Sequence, residues 1–159
     1  MNLNTAEAIL KDTGIFKGHE TIAGIACTIG YDKKFKWAWM ATQLNTFIII
    51  GETEELIDKN KIEQFSNACY EYAIKNNQGW PRGLQSGIGA VAILKGKSID
   101  RSAAVFCEKL TKKHFSAFEV PVLYDLEKKK TIRYLTRPLW GTIYFPYFTK
   151  MIDDITSRF

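Results

Sequence analysis

The sequence predicts an α+β fold: a single domain, 1–159, with a mainly antiparallel or mixed sheet covered by helices. Three observations carry the prediction. Ile62, Phe65, Cys69, Tyr72 and Ala73 recur at helical spacing and form one apolar stripe. The run Phe47-Ile48-Ile49-Ile50 does not alternate, which suits a central strand covered on both faces. Strand-like segments meander with helices between them and without a regular strand–helix–strand repeat, a pattern that favours α+β over a doubly wound sheet.

Taken in order, Asn4 and Glu7 have the spacing of a capping pair, and Ala6, Ile9 and Leu10 give a short apolar face, so a helix is expected near 5–11. Strands near 21–30 and 35–42 follow from their β-formers, with Tyr31-Asp32-Lys33-Lys34 as the turn of a hairpin. In its second arm Phe35, Trp37 and Trp39 fall on one face. A third strand near 46–50 comes after a turn around Leu44-Asn45 and ends at Gly51. The helix near 59–76 stops before Gly79, and a short strand spans 90–94. Ser98 is the expected N-cap of a helix near 99–110, with Ala103, Phe106, Cys107 and Leu110 inward. Strands near 116–124 and 131–136 flank the charged turn Glu127-Lys128-Lys129-Lys130, and Pro121 argues for an edge position or a bulge. Pro146 opens a closing helix near 146–157.

Composition excludes several classes. With 46% hydrophobic and 25% charged residues, the 159-residue chain fits neither disorder nor a disulfide scaffold. Cys27, Cys69 and Cys107 form no CxxC pair, and His19 and His114 belong to no zinc-binding pattern, so neither a metal nor a cofactor is implied. Met1–Leu10 carries Glu7 and lacks the basic start and apolar run of a secretory signal, and the longest uncharged span is too short to cross a bilayer. The expectation is a cytoplasmic protein that does not engage membranes. The net charge is +5, and its excess lies between 91 and 138, where 11 lysines and arginines face five carboxylates.

Two segments stand out as candidate sites. Residues 78–89 hold four of the 11 glycines, and Pro81 stiffens a loop that could present Trp80, Arg82 and Gln85, with Gly83 and Gly87 allowing close approach. Arg82 would clamp a carboxylate or phosphate there. The second is the aromatic C-terminal segment, where Arg137, Trp140, Tyr144 and Tyr147 are candidates for an interaction surface.

Other patterns fail on context. Gly87-Ile88-Gly89-Ala90-Val91-Ala92 has a dinucleotide-fingerprint spelling but precedes a β-rich run instead of a helix. Gly96-Lys97-Ser98 lacks the earlier glycine of a phosphate loop, leaving at most a weaker anion site with Lys95. Cys107 with His114 and Glu119 could form a nucleophile set, and Asp125, Glu127 and Lys129 a carboxylate–lysine site, but both are better explained as ordinary buried or solvated groups.

These readings together point to a small cytosolic domain that binds a ligand or a protein partner and lacks a recognisable catalytic apparatus. Self-association into a homodimer is one use of the aromatic segment. The alternative is a nucleic-acid-associated protein using the basic stretch 95–137. A further alternative is an enzyme whose site is assembled from scattered residues such as Arg82, His114 and Glu119.

Overall fold

A computed structural model describes residues 3–39, 41–79, 86–109, 114, 117–136 and 143–159. Its elements, in chain order, are α1 (Leu3–Asp12), β1 (Phe16–Ile22), β2 (Ile25–Lys36), β3 (Thr42–Glu52), α2 (Lys59–Asn76), β4 (Ser86–Gly96), α3 (Arg101–Lys109), β5 (Ala117–Asp125), β6 (Lys130–Ile132) and α4 (Phe145–Thr156). A 3-10 turn, Trp37–Trp39, joins β2 to β3. The strands form one mixed sheet in the order β1-β2-β3-β4-β5-β6. β3, β4 and β5 run parallel, linked by α2 and α3, while the other pairings are antiparallel. The α+β expectation holds.

The sheet is covered on both faces. On one, Ile62, Phe65, Cys69 and Ala73 of α2, with Ala103 and Cys107 of α3, pack on Ile29, Phe47, Ile49, Ala90 and Leu123. On the other, Leu10 of α1 and Phe145, Phe148 and Ile152 of α4 pack on Ile48, Ile50, Val91, Phe118 and Val120. This explains the unbroken apolar run 47–50: every one of those side chains is buried, alternately in one core and the other.

The first hairpin differs from the sequence expectation. Its turn is Ala23-Gly24, both at positive φ, as a two-residue hairpin loop requires, and its arms are β1 and β2. Tyr31 to Lys34 lies inside β2, which continues to Lys36. Asp32 to Lys34 are polar because β1 stops pairing at Gly30 and the last outer contact is the Tyr31 amide on the Ile15 carbonyl, leaving the outer edge of β2 open beyond it. Leu44-Asn45 is likewise not a turn but the interior of β3. Smaller corrections concern the helix ends. α1 begins at Leu3, so Asn4 lies within it, and Ser98 is not a cap, because Asp100 accepts the Ser102 amide while the Ser98 carbonyl binds the Ile57 amide. Pro121 falls where β5 has β4 on one side only, since β6 pairs just with Leu123–Asp125, so the sheet is locally an edge there, as a proline favours.

All three cysteines are buried free thiols. Burial pushes Cys27 up to about 12 from an ordinary 9.0, and raises Cys69 and Cys107 in the same direction. Native protein at pH 8 should therefore resist thiol reagents, with all three groups reacting only after denaturation. The sign of the linked pH effect follows. Between 9 and about 12 the unfolded chain has released the Cys27 proton and the folded chain has not, so stability falls as pH rises through that window. The slope is about 1.4 kcal/mol per pH unit for each such thiol. Lys95, lowered by burial, works in the opposite sense below its ordinary 10.5. Rapid native labelling would show that these thiols are reached by solvent.

Candidate functional site

The candidate segments meet at one end of the sheet, where the parallel strands begin. Cross-strand register places Phe35 of β2 beside Gln43 of β3, and Gln43 beside Ser86 of β4. One strand further, Ile88 lies beside Ala117 of β5, which is bridged to His114. The start of α4 reaches the same end, since Tyr144 packs on Phe118 with ring centres 5.1 Å apart. The glycine segment, the edge of β2, His114 and the aromatic segment are thus neighbours in space, though far apart in sequence.

A buried amide anchors the glycine segment. Asn45 is inaccessible to solvent and its Oδ1 accepts the Tyr31 hydroxyl at 2.9 Å. Its Nδ2 donates to Ser86 Oγ at 3.1 Å, Gln43 Oε1 at 3.3 Å and the Gly87 carbonyl at 3.4 Å. Burial is the main cause that raises the Tyr31 phenol above its ordinary range. Gly79 approaches from the end of α2 so closely that a Cβ there would lie 2.3 Å from the Asn45 amide. Asn45 therefore grips the chain on both sides of residues 80–85. Trp80, Arg82, Gly83 and Gln85 lie outside the described residues. Gly87 is buried and serves through its carbonyl. Gly89, the other glycine of the dinucleotide-like spelling, is where α4 crosses the sheet: a Cβ would meet the Phe148 ring at 3.0 Å.

Of the aromatic candidates, Arg137 and Trp140 lie outside the described residues. Tyr144 and Tyr147 are half-buried and pack on Trp39, each with ring centres 5.4 Å away. The Tyr147 hydroxyl donates to Asp32, and burial followed by that carboxylate raises its pKa. Both rings tie α4 to the β2–β3 connection.

The structure brings His114 and Glu119 together at 3.5 Å, with Glu119 buried and the imidazole stacked on Tyr70 at 3.9 Å. Cys107 belongs to the core and its raised pKa suppresses the thiolate that a nucleophile requires. At the opposite end of the sheet, Lys95 is buried with its ammonium 3.8 Å from the Phe159 ring centre, while Lys97 is exposed, so the two do not share a surface. Asp125 accepts the Glu127 and Lys128 amides as a turn-forming residue. Among the described residues no group of three His, Cys, Asp or Glu side chains could hold a metal ion.

Described members of the basic stretch 95–137 are dispersed. Lys95 is buried, Arg101 and Lys109 line a cavity with Lys59, Arg133 pairs with Asp153 at 3.1 Å, Lys128 and Lys129 occupy the β5–β6 turn, and Lys130 opens β6. A concentrated basic and aromatic feature lies elsewhere, on β2. Lys33, Lys34, Phe35, Lys36 and Trp37 are consecutive and exposed, Trp37 to 81%. The sequence hinted at it through the alternating aromatic face; it did not reveal that the 3-10 turn directs Trp37 outward and buries Trp39.

No helix among the described residues is long and apolar enough to cross a membrane. Comparison with protein-family models, curated proteins and solved structures finds no match for this chain.

Proposed function

We propose that this protein is a binding domain that engages its partner through the sheet end at which β3, β4 and β5 begin. One observation carries the reading. Among the described residues five large apolar side chains stand exposed, and three of them border this end: Phe35 and Trp37 where β2 finishes, and Ile143 just before α4. Exposed apolar groups gathered on one surface, with cations beside them, are a costly arrangement for a chain that binds nothing there. The Asn45 anchor adds to this reading, because it fixes Ser86 and Gly87 where β4 begins, at this same end, so less order has to be imposed there on binding.

The test pairs native mass spectrometry of gently purified protein with substitutions at the two ends. Arg82→Ala should remove or weaken whatever the wild type retains, without moving its urea midpoint, and Lys128→Ala at the other end should not. An Arg82→Ala protein that loses cooperative folding, or a Lys128→Ala protein that loses the retained species instead, would overturn the assignment.

A further inference from the structure

The free edge of β2 identifies a class of partner. Beyond Tyr31 β2 has no strand on its outer side, and this open stretch, continued by the 3-10 turn, carries Lys33, Lys34 and Lys36 with Phe35 and Trp37. No ion pair among the described residues uses any of the three lysines. Asp32, the nearest carboxylate in sequence, is engaged by the Tyr147 hydroxyl. Lysines on a free edge can serve merely to block edge-to-edge pairing. Trp37 exceeds that role, since an exposed indole works against solubility. It meets Phe35 in a T-shaped contact, with ring centres 5.3 Å apart, while Lys34 and Lys36 lie over the Tyr147 and Trp39 rings and keep their charges exposed on the same run of chain.

The exposed run Lys33–Trp37 holds three lysines and no carboxylate. At the far end of the sheet Glu52, Glu54, Glu55, Asp100, Asp125 and Glu127 are interspersed with the lysines. A polyanion is therefore steered to the end that holds the exposed rings.

We propose that the edge Lys33–Trp37 binds single-stranded nucleic acid, the lysines meeting phosphates and Trp37 stacking on a base. The proposal rests on the binding reading above and names its partner. A single strand fits where a duplex does not, because only unpaired bases expose the faces that an indole can stack on. An acidic peptide would satisfy the lysines equally but leave the stacking plane unused.

The experiment is fluorescence anisotropy with a labelled 15-nucleotide oligothymidylate, a duplex of equal length, and polyglutamate as competitor. The single strand should bind more tightly than the duplex, and its affinity should fall linearly with salt on logarithmic axes. Trp37→Ala should cost about 5- to 100-fold at constant salt. Replacing Lys33, Lys34 and Lys36 with glutamine should reduce the salt slope by about 2, at roughly 0.7 for each phosphate that is no longer neutralised. Leu56→Ala, at the far end, should bind as the wild type does. All these side chains are exposed, so a melting curve matching that of the wild type is expected and certifies each variant. Absence of binding at low salt, an unchanged affinity in Trp37→Ala, or preference for duplex would overturn the proposal. Displacement by polyglutamate at equal charge concentration would also overturn it, in favour of an acidic protein. If any of these occurs while Arg82→Ala still strips a retained species in the mass spectrum, the binding surface stands and only its partner class is wrong.

Discussion

Asn45→Ala should lower stability by about 2–4 kcal/mol, the cost of leaving several buried polar groups without their partner. The magnitude follows from what the amide does. In the wild type it receives one hydroxyl and offers its two protons to three oxygens, and the amide itself is closed to water. Alanine strands the Tyr31 hydroxyl, Ser86 and the Gly87 carbonyl together, and opens a void beneath Gly79. The urea midpoint should move down by about 1–2 M, given the usual slope for a chain of this size. Two companions test the mechanism. Tyr31→Phe removes a single donor and should cost about 1 kcal/mol. Asn45→Asp keeps the Tyr31 contact but turns a carboxylate oxygen toward the Gln43 and Gly87 oxygens, so it should be worse than alanine despite its matching shape. An aspartate variant as stable as the wild type would mean that this amide is not what holds the segment.

That anchor shows where the sequence was legible and where it was not. The glycine segment announced itself through composition; Asn45 did not, because an asparagine beside an apolar run has the same local signature as a turn. What makes it an anchor is register: Ser86 and Gly87 arrive from the neighbouring parallel strand, 41 and 42 positions away. The helix 59–76 was readable to the residue, since its stripe spans several turns and Asp58 caps the Lys61 amide. The first hairpin was not. Ala23-Gly24 lacks the Asn-Gly or Asp-Gly spelling of a tight turn, while Asp32-Lys33-Lys34 imitates a loop. Their polarity belongs to an open sheet edge, and edges and turns share a composition because both face water. The same ambiguity hid Trp37: alternation assigned it to a face with Trp39, and only the 3-10 turn separates them.

The aromatic layer that seats α4 should prove as sensitive as the amide, through a different mechanism. Phe118 is nearly buried and meets Tyr144, Phe145 and Phe148 with ring centres 5.1, 6.0 and 5.3 Å away. Phe118→Ala removes the ring on which the first turns of α4 rest, and should cost about 3–5 kcal/mol, since the surrounding rings cannot collapse fully into the void. The melting temperature should fall by about 6–20 °C, taking roughly 2–4 °C per kcal/mol for a domain of this size. The loss should also be local in its dynamics. Trp39 lies against Tyr144 and Tyr147, so loosening α4 releases the base of the exposed β2 edge, whereas α2 and α3 cover the opposite face and keep their own core. Hydrogen exchange in Phe118→Ala should therefore accelerate together in Lys36–Thr42 and Tyr144–Lys150, while Ile62–Ala73 keeps protection close to the new global limit. Uniform loss of protection in all three segments would show that the two helical layers open as one unit and that α4 has no separate hold on the exposed β2 edge.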